Sequence, residues 1–215
     1  MNAARHPAGR FIAFEGGEGV GKSTQGRLLA AALRERGLEV VTTREPGGTT
    51  GAEVIRAMLL STEGEGWGAR AEALLFAAAR ADHVERLIRP AMARGAWVIC
   101  DRFVDSSRAY QGAGGGLSDD EVMTLHRIGS GSLLPDVTIL LTLPPDVAAS
   151  RLVQRDGNDA DRIGGRSAEF HARVAAAFRA FAEQEPERFA VIDALGTVDE
   201  VHHRIIAALG SCLSA

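Results

Sequence analysis

The run Phe14-Glu15-Gly16-Gly17-Glu18-Gly19-Val20-Gly21-Lys22-Ser23-Thr24 decides how the rest of the chain is read. It follows the apolar segment Phe11-Ile12-Ala13 and precedes Leu28, Leu29, Ala32 and Leu33 at helical spacing, so it reads as strand, glycine loop and helix in succession. Gly16, four residues, then Gly21-Lys22-Ser23 is the Walker A spacing. Glycines let successive backbone N–H groups turn inward around a polyphosphate, and the helix N-terminus adds partial positive charge at the same spot. Lys22 would then reach the β- and γ-phosphate oxygens, and the Ser23 hydroxyl would be offered to Mg²⁺. Lys22 is the only lysine among 24 lysines and arginines. Arginine fills every other basic position, so this one needs a compact ammonium rather than a planar fork.

Working outward, 215 residues are enough for one well-buried domain. We expect a loose N-terminal leader over 1–10, a single domain over 11–210 and a short tail over 211–215. The net charge of −4 is not that of a nucleic-acid or membrane-surface footprint, so an anionic ligand must be held locally. No window approaches a transmembrane span, and the first ten residues have no apolar core of a signal peptide. The two cysteines, Cys100 and Cys212, have no metal-ligand spacing and suit a reducing cytoplasm.

Beyond the glycine loop the spacing predicts a helix over 25–36 capped by Gly37, then a strand over 39–43. Arg44-Glu45-Pro46-Gly47-Gly48 cannot continue as helix and leaves Arg44 at the carboxyl end of that strand, where open α/β sheets bind ligands. A solvated loop arginine is the other reading. A helix over 52–60, a flexible stretch over 61–68 and a long helix over 69–94 follow, the last with an apolar stripe through Leu74, Leu75, Ala78, Val84, Leu87 and Ile88. Phe76 and Arg80, four apart, share a face off the centre of that stripe. They suit a stacked nucleobase beside a hydrogen-bond donor, or equally a core Phe and a surface Arg. Trp97-Val98-Ile99-Cys100 is a strand ending in Asp101-Arg102, which resembles a Walker B carboxylate beside a phosphate-binding arginine. An ordinary strand-end ion pair is the alternative. Residues 105–116 carry Ser106, Ser107, Arg108, Tyr110 and Gln111 without a packing period and read as a loop. Capping boxes at Ser118/Glu121 and Thr197/Glu200 open two later helices. Further strands are expected over 137–143 and 189–192, and helices over 146–154 and 167–184. Arg151, Arg155, Arg162 and Arg166 surround the polar segment 156–159, as a solvated surface or as a lid closing over a triphosphate. The alternation implies about five parallel strands with helices on both faces.

These motifs together resemble the thymidylate (dTMP) kinases, in the P-loop nucleoside monophosphate kinase class. The resemblance runs from Phe11 to about Leu209 through the glycine loop, Thr43-Arg44-Glu45-Pro46-Gly47-Gly48, Leu75-Phe76-Ala77-Ala78-Ala79-Arg80, Asp101-Arg102 and Ser106-Ser107-Arg108-Ala109-Tyr110-Gln111-Gly112. It implies an α/β three-layer P-loop kinase fold with a small arginine-bearing lid at about 151–167. It also implies transfer of the γ-phosphoryl group of ATP, with Mg²⁺, to dTMP to give dTDP, a step of dTTP synthesis, by a cytoplasmic homodimer without nucleic-acid or membrane partners. By the same resemblance Gly16 to Thr24 and Arg162 would bind ATP, and Ser23 and Asp101 would serve the metal. Glu18 would accept from the sugar 3′-hydroxyl, Arg44 and Arg102 would hold the acceptor phosphate, and Phe76 would stack on thymine. Arg80 would donate to a base carbonyl, Ser107 and Gln111 would line the base and sugar pocket, and Tyr110 would fill the space of a ribose 2′-hydroxyl. Because Gly19 follows Glu18 where one branch of the family has a basic residue, Arg151, Arg155 or Arg162 would supply the lid charge, with Lys22, Asp101 and Arg102 completing the catalytic set. The chain departs from the family at Gly164-Gly165, where an acidic residue usually follows, and at Phe178, where Tyr is common. A kinase for another monophosphate or deoxynucleoside, and a nucleotide switch without an acceptor, are the alternative readings.

Overall fold

In a computed structural model of the chain, residues 9–156 and 161–210 are described, 152–156 by backbone alone. Most of the expected leader, all of the polar segment 156–159 except Asp156, and the tail 211–215 lie outside the described residues.

Strand β1 (Phe11–Glu15) is buried along its whole length, as a strand covered on both faces must be. It lies at the centre of a five-stranded sheet with β2 (Val40–Arg44), β3 (Trp97–Asp101), β4 (Val137–Thr142) and β5 (Phe189–Asp193), in the order β2-β3-β1-β4-β5. Every neighbouring pair is parallel. Alternate side chains go to opposite faces: Ile12, Phe14 and Ile99 meet Leu29 and Leu33 of α1 (Lys22–Glu35) together with Val201 and Ile205 near the C-terminus. Phe11, Ala13, Val98 and Cys100 pack instead with Val84, Ile88 and Phe103. The three-layer α/β architecture read from the sequence is therefore present, and the register Phe14↔Asp101 and Arg44↔Asp101 aligns the ends of β1, β2 and β3.

The remaining helices are α2 (Thr50–Leu60), α3 (Ala69–His83), α4 (Arg89–Ala93), α5 (Val104–Ser107), α6 (Asp119–Ser130), α7 (Pro145–Asp156), α8 (Ala168–Gln184) and α9 (Val198–Ala208). Both expected capping boxes are formed, on α6 and α9. Two expectations need correction. The stretch 69–94 is not one regular helix, because a π-helical turn over Val84–Ile88 adds a residue between α3 and α4. On α3 the inner face is also not the leucine stripe, since Leu74 is 56% exposed while Glu72, Ala73, Ala79, Arg80 and His83 are buried; farther along, Val84 and Ile88 of the expected stripe are buried, with Leu87 packed beside them. The residues expected as a loop over 105–116 are helical, α5 running directly into a wide π-type helix over Arg108–Gly114. That segment is buried through Arg108–Gly112 although it shows no apolar period, and its Arg108 and Gln111 are paired with carboxylates of other elements. Arg108 bonds Asp105, Asp119 and Glu185, and Arg188 also reaches Asp105. Wide helical turns of this kind concentrate at functional sites.

Candidate active site

Gly16 to Gly21 form the turn between β1 and α1, and Lys22, Ser23 and Thr24 make the first helical turn. Gly16 has φ 130°, and a Cβ there would lie 2.4 Å from the Leu141 carbonyl oxygen, so the loop can bend this tightly only with glycine. Lys22 is buried and donates from Nζ to the carbonyls of Gly16 (3.2 Å) and Gly17 (2.5 Å). Burial, reinforced by Arg102, pushes its pKa down to about 7. An anion in the loop would restore the ammonium form. Ser23 Oγ donates to Asp101 Oδ2 at 2.5 Å, so the two oxygen donors expected at a metal do meet. One hydroxyl and one carboxylate, both hard oxygens, fit Mg²⁺, which keeps several waters and draws further ligands from substrate phosphates.

Arg102 joins this loop to what lies beyond it. Its backbone has φ 69°, uncommon for a side-chain-bearing residue, and its N–H donates to the Phe14 carbonyl. Nη1 donates to Gly16 O (3.2 Å) and to Ser106 Oγ (3.1 Å), and the guanidinium lies 5.0 Å from the centre of the Tyr110 ring. Burial opposes its charge, but Tyr110, Asp101, Glu15 and Glu18 around it hold its pKa above the ordinary arginine value. The turn is anchored by Glu15, fully buried at the end of β1, whose carboxylate accepts from Phe103 N (2.8 Å), Ser106 N (3.0 Å) and Ser106 Oγ (2.6 Å). Burial, with Asp105 nearby, pushes Glu15 up to about 7. The sequence reading passed over Glu15, although an acidic residue closing an apolar strand was the available signal.

From Arg102 a cleft opens between the glycine loop and the helices α2, α3 and α5. It brings together Glu18, Phe76, Arg80, Arg102, Ser107, Tyr110 and Gln111, seven of the eight residues assigned to the acceptor. Arg80 is buried, on the face read as peripheral, and donates to Glu45 Oε2 (2.7 Å) and Ser107 Oγ (2.8 Å). Glu45 is held on its other oxygen by His83 Nδ1 (3.0 Å), and His83 Nε2 meets Thr43 Oγ1 (2.8 Å). The Tyr110 hydroxyl is buried with no hydrogen-bond partner among the described residues, and burial pushes its pKa up. The eighth residue, Arg44, lies outside this cleft. It is half exposed on Glu53 and lines a neighbouring cavity with Lys22, Ser23 and Asp101. Arg56 of α2, which the sequence reading missed, takes the place in the cleft, bonded to the Pro46 carbonyl. Burial, then Arg44, lowers its pKa. Its signal was weak, a single arginine in an amphipathic helix.

The lid arginines separate. Arg151 donates to the Ala194 carbonyl beyond β5 (3.3 Å). Arg162 does not reach the glycine loop: it donates to the carbonyls of Ser61 (2.6 Å), Glu63 (2.7 Å) and Gly64 (3.1 Å), beyond α2. Arg166 pairs with Glu72. The Arg155 side chain lies outside the described residues. Asp161 and Ile163 close the cleft from the lid side, and Gly164 abuts Glu18, with a Cβ at 164 lying 2.9 Å from Glu18 Oε2. An acidic side chain at 164 would meet a like charge there.

A glycine loop with a buried lysine, a hydroxyl and carboxylate for a metal, and an adjoining cleft with its own arginines define a P-loop kinase acting on a nucleoside monophosphate. Residues 14–205 match the family model for thymidylate kinase. Curated thymidylate kinases from Rhizorhabdus wittichii and Rhodopseudomonas palustris are 58% and 51% identical to the chain, over 95% and 94% of it and 99% and 88% of their own lengths. The crystal structure of thymidylate kinase from Ehrlichia chaffeensis superposes with a TM-score of 0.76 at 33% identity, covering 94% of this chain and all of that one. The chain belongs to the thymidylate kinase family.

Proposed function

We infer that the protein catalyses in-line transfer of the γ-phosphoryl group of ATP to dTMP, giving ADP and dTDP. The observation that carries this reading is Arg102, which touches the glycine loop at Gly16 and the acceptor cleft at Ser106 and Tyr110, so donor and acceptor phosphates would meet at one guanidinium. The acceptor is already an anion and needs no strong general base, so the protein's work is positioning and charge neutralisation. Lys22 leaves the Gly16 and Gly17 carbonyls for the β- and γ-phosphates, while Arg102 and Arg56 hold the acceptor phosphate. Phe76 and Arg80 take the base, and Glu18 takes the sugar. Ser23 and Asp101 would hold Mg²⁺, which supplies charge neutralisation between the phosphates when bound. Arg44, beside Asp101 at the end of β2, would serve the phosphates from the metal side.

A coupled assay of ADP release with dTMP, dUMP, dCMP, dGMP or no acceptor tests the assignment. ADP release should require an acceptor and be fastest with dTMP. One methyl group is worth only about 1–3 kcal/mol in an apolar pocket, so dUMP should be a poorer but real substrate. Acceptor-independent ATP consumption would identify a nucleotide switch instead, and a faster rate with another monophosphate would reassign the kinase.

A homodimer accords with the neighbouring helices α2, α3 and α6, which expose Val54, Met58, Leu74 and Ile128, the last 76% exposed. Sedimentation should show a dimer that Ile128→Glu weakens, and a monomeric wild type would overturn it. No described helix is long and apolar enough to cross a membrane. The free, buried Cys100 suits action in the cytoplasm.

A further inference from the structure

The buried carboxylate of Glu72 has no part in the reaction as derived above, yet it stands directly behind the base pocket. It lies on the inner face of α3, 3% exposed, with its two oxygens divided between two partners. Oε1 accepts from Gln111 Nε2 at 2.9 Å. Oε2 accepts from Arg166 Nη2, whose guanidinium is itself seated 4.6 Å from the centre of the Phe170 ring.

We propose that Glu72 is a specificity-determining positioning residue: it fixes the Gln111 amide so that the carbonyl oxygen, not the NH₂ group, is offered to the acceptor base. A primary amide has a donor end and an acceptor end of nearly the same shape, and only its hydrogen-bond partners decide which way round it sits. The carboxylate of an ion pair accepts and cannot donate, so the NH₂ end of Gln111 must face Glu72. Its Oε1 is left with no hydrogen bond among the described residues, on a side chain that lines the cleft. Arg80, in the same cleft, has no acceptor atom and presents only N–H groups. The pocket thus offers a donor beside an acceptor. That pair matches a pyrimidine edge with a 4-carbonyl and an N3–H, as in thymine and uracil. It opposes cytosine, whose 4-amino group would face the guanidinium and whose unprotonated N3 would face the Gln111 oxygen. Because the second oxygen of Glu72 is held by Arg166, at the C-terminal end of the lid segment, the amide is oriented before substrate arrives. Discrimination of this kind is strong, because a mismatched base leaves buried polar groups unpaired.

The inference rests on the acceptor site being the cleft described above, and the test separates the two. In Glu72→Gln the residue can donate as well as accept, so Gln111 is free to turn over. The ratio of kcat/KM for dTMP to that for dCMP should fall by about tenfold or more, while KM for ATP stays near the wild-type value. In the exchanged variant Glu72→Gln/Gln111→Glu, the amide donates from position 72 and position 111 shows the base only acceptor oxygens. The preference for dTMP should return. A purely structural role would lower both rates together and leave the ratio unchanged, so a folded Glu72→Gln protein with an unaltered ratio overturns the proposal. Should the single variant fail to fold, the exchanged variant decides, and loss of dTMP preference there is fatal to it. Failure of both to fold assigns Glu72 to structure alone and also overturns it. A wild-type protein that does not use dTMP would instead remove the site reading and this assignment together.

Discussion

In the glycine loop Lys22 is held by the carbonyls of Gly16 and Gly17, all within one continuous segment, whereas in the adjoining cleft Arg80 is held by Glu45 from one distant segment and by Phe103 and Ser107 from another. The loop arranges backbone groups around a charge that arrives with the substrate. The lysine is buried, and burial, reinforced by Arg102, pushes its pKa down to about 7. The cleft buries its charges already paired, Arg80 on Glu45, Glu45 on His83, Glu15 on the Arg102 turn. The first design concentrates function in one side chain that contributes little to folding. The second makes the same residues serve specificity and stability together, so the two regions should respond differently to mutation.

The largest effect is expected at the donor side. Lys22→Ala should reduce kcat by about 10³-fold, the scale on which single preorganised electrostatic groups act. Its thermal unfolding temperature should stay at or above the wild-type value, since a poorly solvated ammonium is removed. A folded Lys22→Ala protein with near-normal turnover would break the comparison at its first term.

Glu45→Gln should do the reverse. Leaving Arg80 with a neutral partner in a buried site should cost about 3 kcal/mol of stability, since breaking a buried pair strands its other charge. For a chain of this size that is a fall on the order of 10 °C in Tm, read by circular dichroism or calorimetry. Activity at low temperature should suffer mainly through KM for dTMP. A variant as stable as the wild type would show that the acceptor arginine is not held by its ion pair.

The same contrast explains what the sequence revealed. The glycine loop was legible because its geometry comes from contiguous residues: Gly16, Gly21 and Lys22 at fixed spacing between an apolar strand and a helix. The sheet was legible for the same reason, its strands being short runs rich in apolar residues, closed by Gly or Pro in β1 and β4 and by Asp101-Arg102 in β3. The roles expected for the seven cleft residues come from the family resemblance; helical spacing alone left Phe76 and Arg80 open between a base site and an ordinary core and surface pair, and periodicity pointed the wrong way twice. On α3 the leucines suggested an inner face, yet Leu74 is outside and Glu72, Arg80 and His83 are inside. At 105–116 a polar, glycine-bearing segment suggested a loop, yet it is helical and buried. In both places buried charge pairs with charge from elsewhere in the chain, and a local pattern cannot show a partner 35 residues away, as Glu45 is from Arg80. Arg56 and Glu15 were missed on the same grounds. Arg44 and Arg162 were named, but their partners, Glu53 for the first and the carbonyls of Ser61, Glu63 and Gly64 for the second, were not.

Glu15 sits between the two regions and gives a smaller, pH-dependent test. Its pKa is raised from 4.5 to about 7 by burial and then by Asp105, so between those values the folded protein keeps a proton that the unfolded chain releases. The Glu15 contribution is therefore fully present below about pH 4.5 and is lost as the pH rises towards 7, on the order of 3 kcal/mol in all. Glu15→Gln cannot ionise and removes that slope. Urea unfolding at pH 5, 6 and 7 should show the variant gaining on the wild type as the pH rises. Parallel profiles would mean that Glu15 is not burdened by its site, and that the Arg102 turn is anchored without stored electrostatic cost.

The smallest expected effect lies in the lid, and it decides to which region the lid belongs. Arg162 was expected at ATP, but its three hydrogen bonds go to Ser61, Glu63 and Gly64, on the chain leaving α2, and its neighbour Ile163 lines the acceptor cleft. Side-chain bonds to carbonyls on a partly exposed loop are worth about 1 kcal/mol net, because water replaces them when they are lost. Arg162→Ala should therefore raise KM for dTMP by about fivefold, 1.4 kcal/mol being a factor of ten, and leave KM for ATP unchanged. The opposite pattern, a higher KM for ATP with a steep fall in kcat, would mean that Arg162 leaves the α2 loop during turnover and delivers its charge to the phosphates. The partition between the two KM values tells the alternatives apart even where the overall loss is small. Only the first outcome makes the lid an extension of the acceptor pocket.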